Sequence, residues 1–149
     1  MAPGADDRNA SADHGDRDSP GRAILRAAHA GALAFTIFFS LYPRKAVDAT
    51  FSAEVQSLAW LFHIGCYLLI ASLHVAAYPG GGRSPFFRRL RLFAAYSLLG
   101  LALETGQALP VVNRSCSASD ALANALGAAL GAFLAPSGRR RRTSGGGRL

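Results

Sequence analysis

Residues 57–78 form a run of 22 residues without a single Asp, Glu, Lys or Arg (SLAWLFHIGCYLLIASLHVAAY). An α-helix rises about 1.5 Å per residue, so about 20 apolar residues are enough to cross the hydrocarbon core of a bilayer. A soluble domain can also bury one such helix in its core. The segment therefore predicts either a membrane span or a core helix, and the rest of the chain decides between them.

Three further apolar segments accompany this run. Residues 27–42 lie between two arginines, residues 92–109 contain Glu104 as their only charge, and residues 121–136 are short and rich in Ala and Gly. A chain of 149 residues has the length of one domain. It offers almost no amphipathic sequence that would cover four such segments in a soluble fold. We therefore predict an all-α, polytopic membrane protein, a bundle of four transmembrane helices.

The two ends of the chain have a different composition. The N-terminal stretch is rich in Asp and Arg, and the C-terminal stretch (SGRRRRTSGGGRL) is basic and glycine-rich. Neither contains enough apolar residues to form a core, so both are predicted to be disordered. The predicted organisation is a tail at 1–23, a transmembrane domain at 24–136 and a basic tail at 137–149. A cleaved signal peptide does not fit, because a long acidic leader precedes the first segment and Pro-Arg-Lys follows it.

Arginine and lysine predict the orientation of the four segments. Of the 16 Lys and Arg, 13 lie before the first segment, between the second and third, or after the fourth, and 3 lie in the other two loops. Short basic loops stay in the cytoplasm, so both termini are predicted to be cytoplasmic. The basic residues flank membrane segments, where a lipid bilayer is their partner. The net charge of +7 therefore does not indicate nucleic-acid binding.

In this orientation, polar residues of three helices meet near the outer surface of the membrane. Helical spacing puts Glu104 and Gln107 on one face of the third segment, and Asp120 and Asn124 on one face of the fourth. His63 lies near the start of the second segment, and Arg114 lies in the loop between the third and fourth. The predicted pocket residues are His63, Glu104, Gln107, Arg114, Asp120 and Asn124. Small residues on the same faces, Gly100, Gly127 and Gly131, are predicted to allow close helix packing or contact with a second copy of the chain.

Simpler structural roles are also open for some of these residues. Asp120 follows Ser117 by three positions, the spacing of a capping box at a helix N-terminus. Glu104 lies inside an apolar run, where an ionised carboxylate is costly unless paired, and Arg114 is the available partner for a structural ion pair. The spacing of a zinc site is absent, no cofactor is indicated, and Cys66 and Cys116 do not suggest a disulfide.

The polar residues of the third and fourth segments resemble a known motif. The pattern E-x-x-Q, then Arg, then S-x-S-D-x-x-x-N-x-x-G-x-x-x-G is similar to that of the VanZ-like family of small bacterial membrane proteins. The resemblance covers roughly residues 24–135 and includes SLYP at 40–43 and a His and a Tyr in the second segment. The residues that carry it are His63, Tyr67, Glu104, Gln107, Arg114, Ser119, Asp120, Asn124, Gly127 and Gly131.

The resemblance implies a multi-pass protein of the bacterial cytoplasmic membrane. The family takes its name from a protein linked to resistance to the glycopeptide teicoplanin. The predicted polar pocket at the outer face leads to the hypothesis of a non-enzymatic protein that binds or excludes a lipid-linked envelope precursor or a lipophilic glycopeptide there. Arg114 would then meet a phosphate or carboxylate of the ligand. This chain departs from the family in carrying Ala59 and Trp60 where members often have an Asp-Lys pair.

Two other classes of function remain open from the sequence. A membrane enzyme acting on a lipid-linked substrate would use Glu104 as general acid or base with His63 assisting. A small transporter would use the histidines and Glu104 to relay protons, and it would need to form oligomers because four short spans make a small pathway.

Overall fold

The computed structural model describes residues 19–80, 84–112, 114 and 116–136. The predicted C-terminal tail and residues 1–18 of the N-terminal tail lie outside the described residues, as do the arginines there that contribute to the predicted orientation. Residues 20–23 were expected to belong to the N-terminal tail, but they form the start of the first helix. Proline is favoured at the first position of a helix, because its backbone has no N–H to leave unpaired and its φ angle is already helical.

The described residues form α-helices and contain no strand, which confirms the predicted all-α class. Four longer helices correspond to the four apolar segments. Two short helices between the first and second segments were not predicted. In chain order the helices are α1 Pro20–Ser40, α2 Arg44–Thr50, α3 Ala53–Ser57, α4 Ala59–Ala77, α5 Pro85–Gln107 and α6 Ala118–Leu134.

Local sequence accounts for several of the helix ends. Both α1 and α5 begin at a proline that follows a serine. The end of α4 is followed by Pro79 and Gly80, which do not continue a helix. Helix α6 begins after Ser117, whose side chain accepts a hydrogen bond from the backbone N–H of Asp120. This bond satisfies one of the donors that a helix N-terminus otherwise leaves unpaired.

Helix α4 packs along α6 with their backbones in close contact. A Cβ atom at Gly127 would overlap the backbone carbonyl of Ile64, and one at Gly131 would lie 2.5 Å from the carbonyl oxygen of Leu68. The two helices therefore run in the same direction, and α1 and α5 run in the opposite direction. Only glycine permits such an approach between helix backbones.

The three glycines predicted for close helix packing contact two different helices. Gly127 and Gly131 of α6 face α4. Gly100 of α5 faces α6, where its Cβ would lie 2.8 Å from the Cβ of Asn124. All three glycines are buried inside the chain, where they allow neighbouring helices to approach closely. Contact with a second copy of the chain stays a prediction.

The surface of the bundle is apolar and several polar residues are inside it. Large apolar side chains such as Phe38, Leu98 and Leu122 are more than half exposed, whereas Glu104 and Asn124 are at most 1% exposed. Helices α1 and α4 are long and apolar enough to cross a membrane. Only 17% and 28% of their apolar windows are buried in the chain, so neither resembles the core helix of a soluble domain.

The other two predicted spans do not meet the same criterion of length and composition. Helix α5 has 23 residues, but three arginines and a glutamate reduce its hydropathy. Helix α6 is apolar but has 17 residues, which span about 25 Å at 1.5 Å per residue. The structure therefore supports two membrane spans by composition, and the prediction of four is matched only in part.

Candidate functional site

A cavity of about 510 Å³ lies at one end of the bundle. It is bounded by the last turn of α1, by the short helices α2 and α3, by the first turn of α4, and by the region where α5 is followed by α6. One part of its wall is aromatic and aliphatic, and another part is charged or polar. The lining residues are Phe39, Ser40, Val47, Phe51, Gln56, Ala59, Phe62, His63, Gln107, Arg114 and Asp120.

His63 is the residue on which the polar side chains converge. Its Nδ1 atom lies 2.8 Å from Oδ1 of Asn124, a hydrogen bond between α4 and α6. The same nitrogen is 4.0 Å from Oε1 of Glu104, and Nε2 on the other side of the ring is 3.9 Å from Oδ2 of Asp120. His63 is 7% exposed. The structure thus brings together side chains from three helices that are far apart in sequence.

Glu104 is fully buried, and both of its carboxylate oxygens accept hydrogen bonds. Nε2 of Gln107 donates to Oε1 at 3.2 Å, and the backbone N–H of Ser117 donates to Oε2 at 3.3 Å. The second bond connects the end of α5 to the start of α6. Glu104 does not line the cavity, so it positions the groups around it and is not itself placed to touch a ligand there.

Arg114 lies in the connection between α5 and α6 and lines the cavity. The expected structural alternative was an ion pair between Arg114 and Glu104. Among the described residues no such pair occurs, although the charge of Arg114 acts on Glu104 at longer range. The connection is held instead by the backbone, since the N–H of Arg114 donates to the carbonyl of Gln107 at 3.1 Å. The guanidinium group of Arg114 is therefore not held in an ion pair with Glu104.

The N-terminus of α6 carries half of the expected capping box. Ser117 accepts from the N–H of Asp120, but the N–H of Ser117 is bound by Glu104 and not by the side chain of Asp120. In a complete capping box the carboxylate of the third residue would return to that N–H. Because Glu104 has taken this role, the carboxylate of Asp120 is left to face His63 and the cavity.

Sequence reasoning missed the apolar wall of the cavity. The rings of Phe39 and Phe62 are tilted against each other with their centroids 5.4 Å apart, and the ring of Phe51 lies 6.2 Å from that of Phe39. Gln56 of α3 donates from its side chain to the carbonyl of Phe51 at 3.0 Å, which fastens the two short helices together. Val47 and Phe51 are four positions apart, a spacing typical of one face of a helix. This spacing is the signal that could have predicted a helical segment facing inward.

A second polar cluster lies between α1, α4 and α5, at the opposite end of the bundle from the cavity. The hydroxyl group of Tyr96 is 2.6 Å from Nε2 of His29 and 3.1 Å from Nδ1 of His74. The rings of the two histidines are in edge contact, with centroids 5.1 Å apart. These contacts place His29 and His74 in the packing between the helices.

The cavity combines the groups needed to bind an acidic amphiphile. A cation and several hydrogen-bonding side chains lie on one part of its wall, and aromatic rings lie on another. No nucleophile with an adjacent base is present among its lining residues, although His63 and Asp120 together are suited to proton transfer. Comparisons with models of known protein families, with curated proteins and with solved structures gave no match.

Proposed function

We propose that this chain is a four-span protein of the bacterial cytoplasmic membrane, of the VanZ-like family, with both termini in the cytoplasm. The apolar surface and buried polar interior support a membrane environment, because the reverse distribution is expected in water.

The basic residues support the orientation. Arg88 donates to the carbonyl of Tyr78 and Arg89 donates to the carbonyls of Phe133 and Ala135, all at the end of the bundle opposite the cavity. The cavity then lies at the outer face.

At that face the cavity binds an amphiphile that carries an acidic headgroup, such as a lipid-linked envelope precursor or a lipoglycopeptide. The single observation that carries this proposal is the divided wall of the cavity. Arg114 donates charge-assisted hydrogen bonds to a phosphate or carboxylate. Phe39, Phe51 and Phe62 contact the apolar part of the same molecule, and burial of apolar area supplies most of the affinity.

Native mass spectrometry of the detergent-solubilised protein tests this binding. A polyprenyl phosphate is the probe, and the uncharged polyprenol of the same length is the comparison. We expect the phosphate to bind more tightly than the alcohol, and Arg114→Ala to remove that preference. Lys45→Ala is the matched control, because Lys45 is an exposed cation in the same predicted outer region and does not line the cavity. Equal binding of the two lipids to the wild-type protein would contradict the proposal.

A cellular measurement tests the link to antibiotic susceptibility. Cells expressing the wild-type chain at a matched membrane level should be less susceptible to teicoplanin than cells with an empty vector. Arg114→Ala should remove this difference and Lys45→Ala should retain it. If the wild type, both variants and the empty vector have the same susceptibility, the resistance role is wrong, while the lipid-binding measurement stands on its own.

A membrane enzyme is the second candidate, and one observation favours it. His63 and Asp120 both line the cavity, with Nε2 3.9 Å from Oδ2. A histidine beside a carboxylate is a common general acid–base pair in hydrolysis and group transfer. Incubation of the purified protein with a labelled lipid-linked precursor would reveal turnover. An enzyme of this kind would lose its activity in His63→Gln, whereas a binding protein would give no product with either form.

A further inference from the structure

Two side chains that line the cavity, His63 and Asp120, and the buried Glu104 next to them have the composition of a metal site. His63 of α4, Glu104 of α5 and Asp120 of α6 each offer one ligand atom, and these atoms all lie within 4.8 Å of one another. His63 and Glu104 are buried, and Asp120 is partly buried. Each residue comes from a different helix, so the arrangement is held by the packing of the bundle and not by a flexible loop.

The hydrogen bond of His63 leaves its other nitrogen free to bind a cation. Oδ1 of Asn124 accepts only, so Nδ1 of His63 at 2.8 Å carries the proton. In the neutral imidazole, Nε2 then presents a lone pair towards Oδ2 of Asp120, and their separation of 3.9 Å is too long for a hydrogen bond. Histidines that bind metals commonly donate their second N–H to an oxygen in this way, which fixes the tautomer.

The carboxyl groups around His63 also favour a cation. Glu104 and Asp120 bring carboxyl oxygens close to the imidazole of His63, and Arg114 is the cation that shares the cavity wall. No ion pair joins Arg114 to either carboxylate in the part of the chain that the structure describes. Two carboxylates held together in a mostly buried place repel each other unless a cation lies between them.

We propose that Nε2 of His63 and the carboxylates of Asp120 and Glu104 bind one divalent transition-metal ion. An imidazole nitrogen with carboxylate oxygens suits Zn²⁺ or Mn²⁺ better than Mg²⁺ or Ca²⁺, which prefer oxygen ligands. Bonds of about 2.0–2.2 Å place neighbouring ligands of a tetrahedral site about 3.4 Å apart. Closing the 3.9 Å separation between His63 and Asp120 therefore requires a movement of about 0.5 Å. Glu104, whose Oε1 is 4.0 Å from Nδ1 of His63, has to move further to reach an ion on Nε2, since the three ligand atoms are up to 4.8 Å apart.

Glu104 retains its present hydrogen bonds when it binds the ion. Each of its oxygens accepts one hydrogen bond, from Gln107 or from Ser117, and each has a second lone pair. Three protein ligands leave a fourth position of the ion for water or for an anionic group from the cavity. The site thus goes beyond the proposed binding of an amphiphile and does not depend on it, since the ion is held by the three protein ligands alone.

Zn²⁺ binding by the full chain tests the proposal without any lipid ligand. The protein is purified with a tag that contains no histidine, treated with a chelator and dialysed against Zn²⁺. Elemental analysis should give one Zn²⁺ per chain, and titration calorimetry should show that Zn²⁺ binds at least 10-fold more tightly than Mg²⁺. Binding of less than about 0.2 Zn²⁺ per chain, on the order of adventitious binding, would overturn the site. Equal affinity for Zn²⁺ and Mg²⁺ would also overturn it.

Four variants identify the ligands. His63→Ala and the nearly isosteric Asp120→Asn should each weaken Zn²⁺ binding by at least 10-fold, the scale expected when a residue of a metal site is removed. His74→Ala and Cys116→Ser are the controls, because both residues offer a Zn²⁺ ligand but lie outside the cluster. Both variants should bind Zn²⁺ as tightly as the wild type does. Loss of binding in Cys116→Ser, or wild-type affinity in Asp120→Asn, would contradict the proposed ligand set.

Discussion

Replacing Glu104 with alanine tests whether its buried carboxylate holds α5 and α6 together. The change removes the acceptor for the side chain of Gln107, which is 1% exposed, and for the backbone N–H of Ser117. A buried donor without an acceptor costs about 1–3 kcal/mol. The side chain of Gln107 is such a donor, whereas Ser117 is only partly buried, so the free energy of unfolding falls by at least about 1 kcal/mol, before any cost of the space left by the side chain. For a chain of this size, that corresponds to a fall of at least about 2 °C in the unfolding midpoint.

Thermal unfolding of the detergent-solubilised protein, followed by the fluorescence of its single tryptophan, Trp60, measures this change. Thr105→Ala is the matched control, because Thr105 is the next residue on the same helix and is exposed. Its hydroxyl group bonds only to a carbonyl of its own helix, so the expected change is within about 0.5 kcal/mol. An unfolding midpoint for Glu104→Ala equal to that of Thr105→Ala, or above that of the wild type, would refute the role given to the carboxylate.

Three further predictions concern helix packing, capping and orientation. Gly127→Ala should lower stability by about 1–3 kcal/mol, because its Cβ overlaps the carbonyl of Ile64. Gly65→Ala has open space and should be neutral or stabilising by up to about 1 kcal/mol, so thermal shifts of the same sign would contradict the packing. Ser117→Ala should cost about 1 kcal/mol in the same assay through loss of the cap, and an unchanged midpoint would contradict this. An impermeant maleimide should label the exposed Cys116 in intact cells, with Cys116→Ser as control. Labelling confined to inside-out vesicles would reverse the proposed orientation.

The helical class of the chain followed from its sequence because apolar run length is a local property. The segment at 57–78 predicted α4 within two residues at its start and one at its end. The short helices α2 and α3 were not predicted, because residues 44–57 contain no apolar run long enough to indicate a helix. Phe51, which lies between them, contacts Phe39 of α1, and this tertiary contact cannot be predicted from local sequence.

For the candidate site, helical spacing grouped residues on one element but not between elements. The pairs Glu104 with Gln107 and Asp120 with Asn124 lie on common faces, as their spacing predicts, and the structure brings both pairs next to His63. Their role in binding a ligand stays a prediction. Which face of a helix meets which neighbouring helix depends on how closely their backbones pack. The periodicity of the sequence does not show this.

The same limit explains why the sequence did not predict the partners of the glycines or the proposed metal ligands. Gly127 and Gly131 of α6 contact α4, whereas Gly100 of α5 contacts α6. The three proposed metal ligands lie at positions 63, 104 and 120, with no local spacing that resembles a metal motif. Only the packed bundle brings them within range of one ion.

The pairing of α6 with α4 has a consequence for biosynthesis. A ribosome completes α4 and α5 before α6, so Asn124 and Asp120 reach His63 only after α6 has been made. Until then, Glu104 has Gln107 of its own helix as a partner, but the backbone N–H of Ser117 has not yet reached it. If the four helices span a membrane as proposed, a nascent chain that stalls before Ala118 exposes the imidazole of α4 and the carboxyl group of α5 to lipid without all of their final hydrogen bonds.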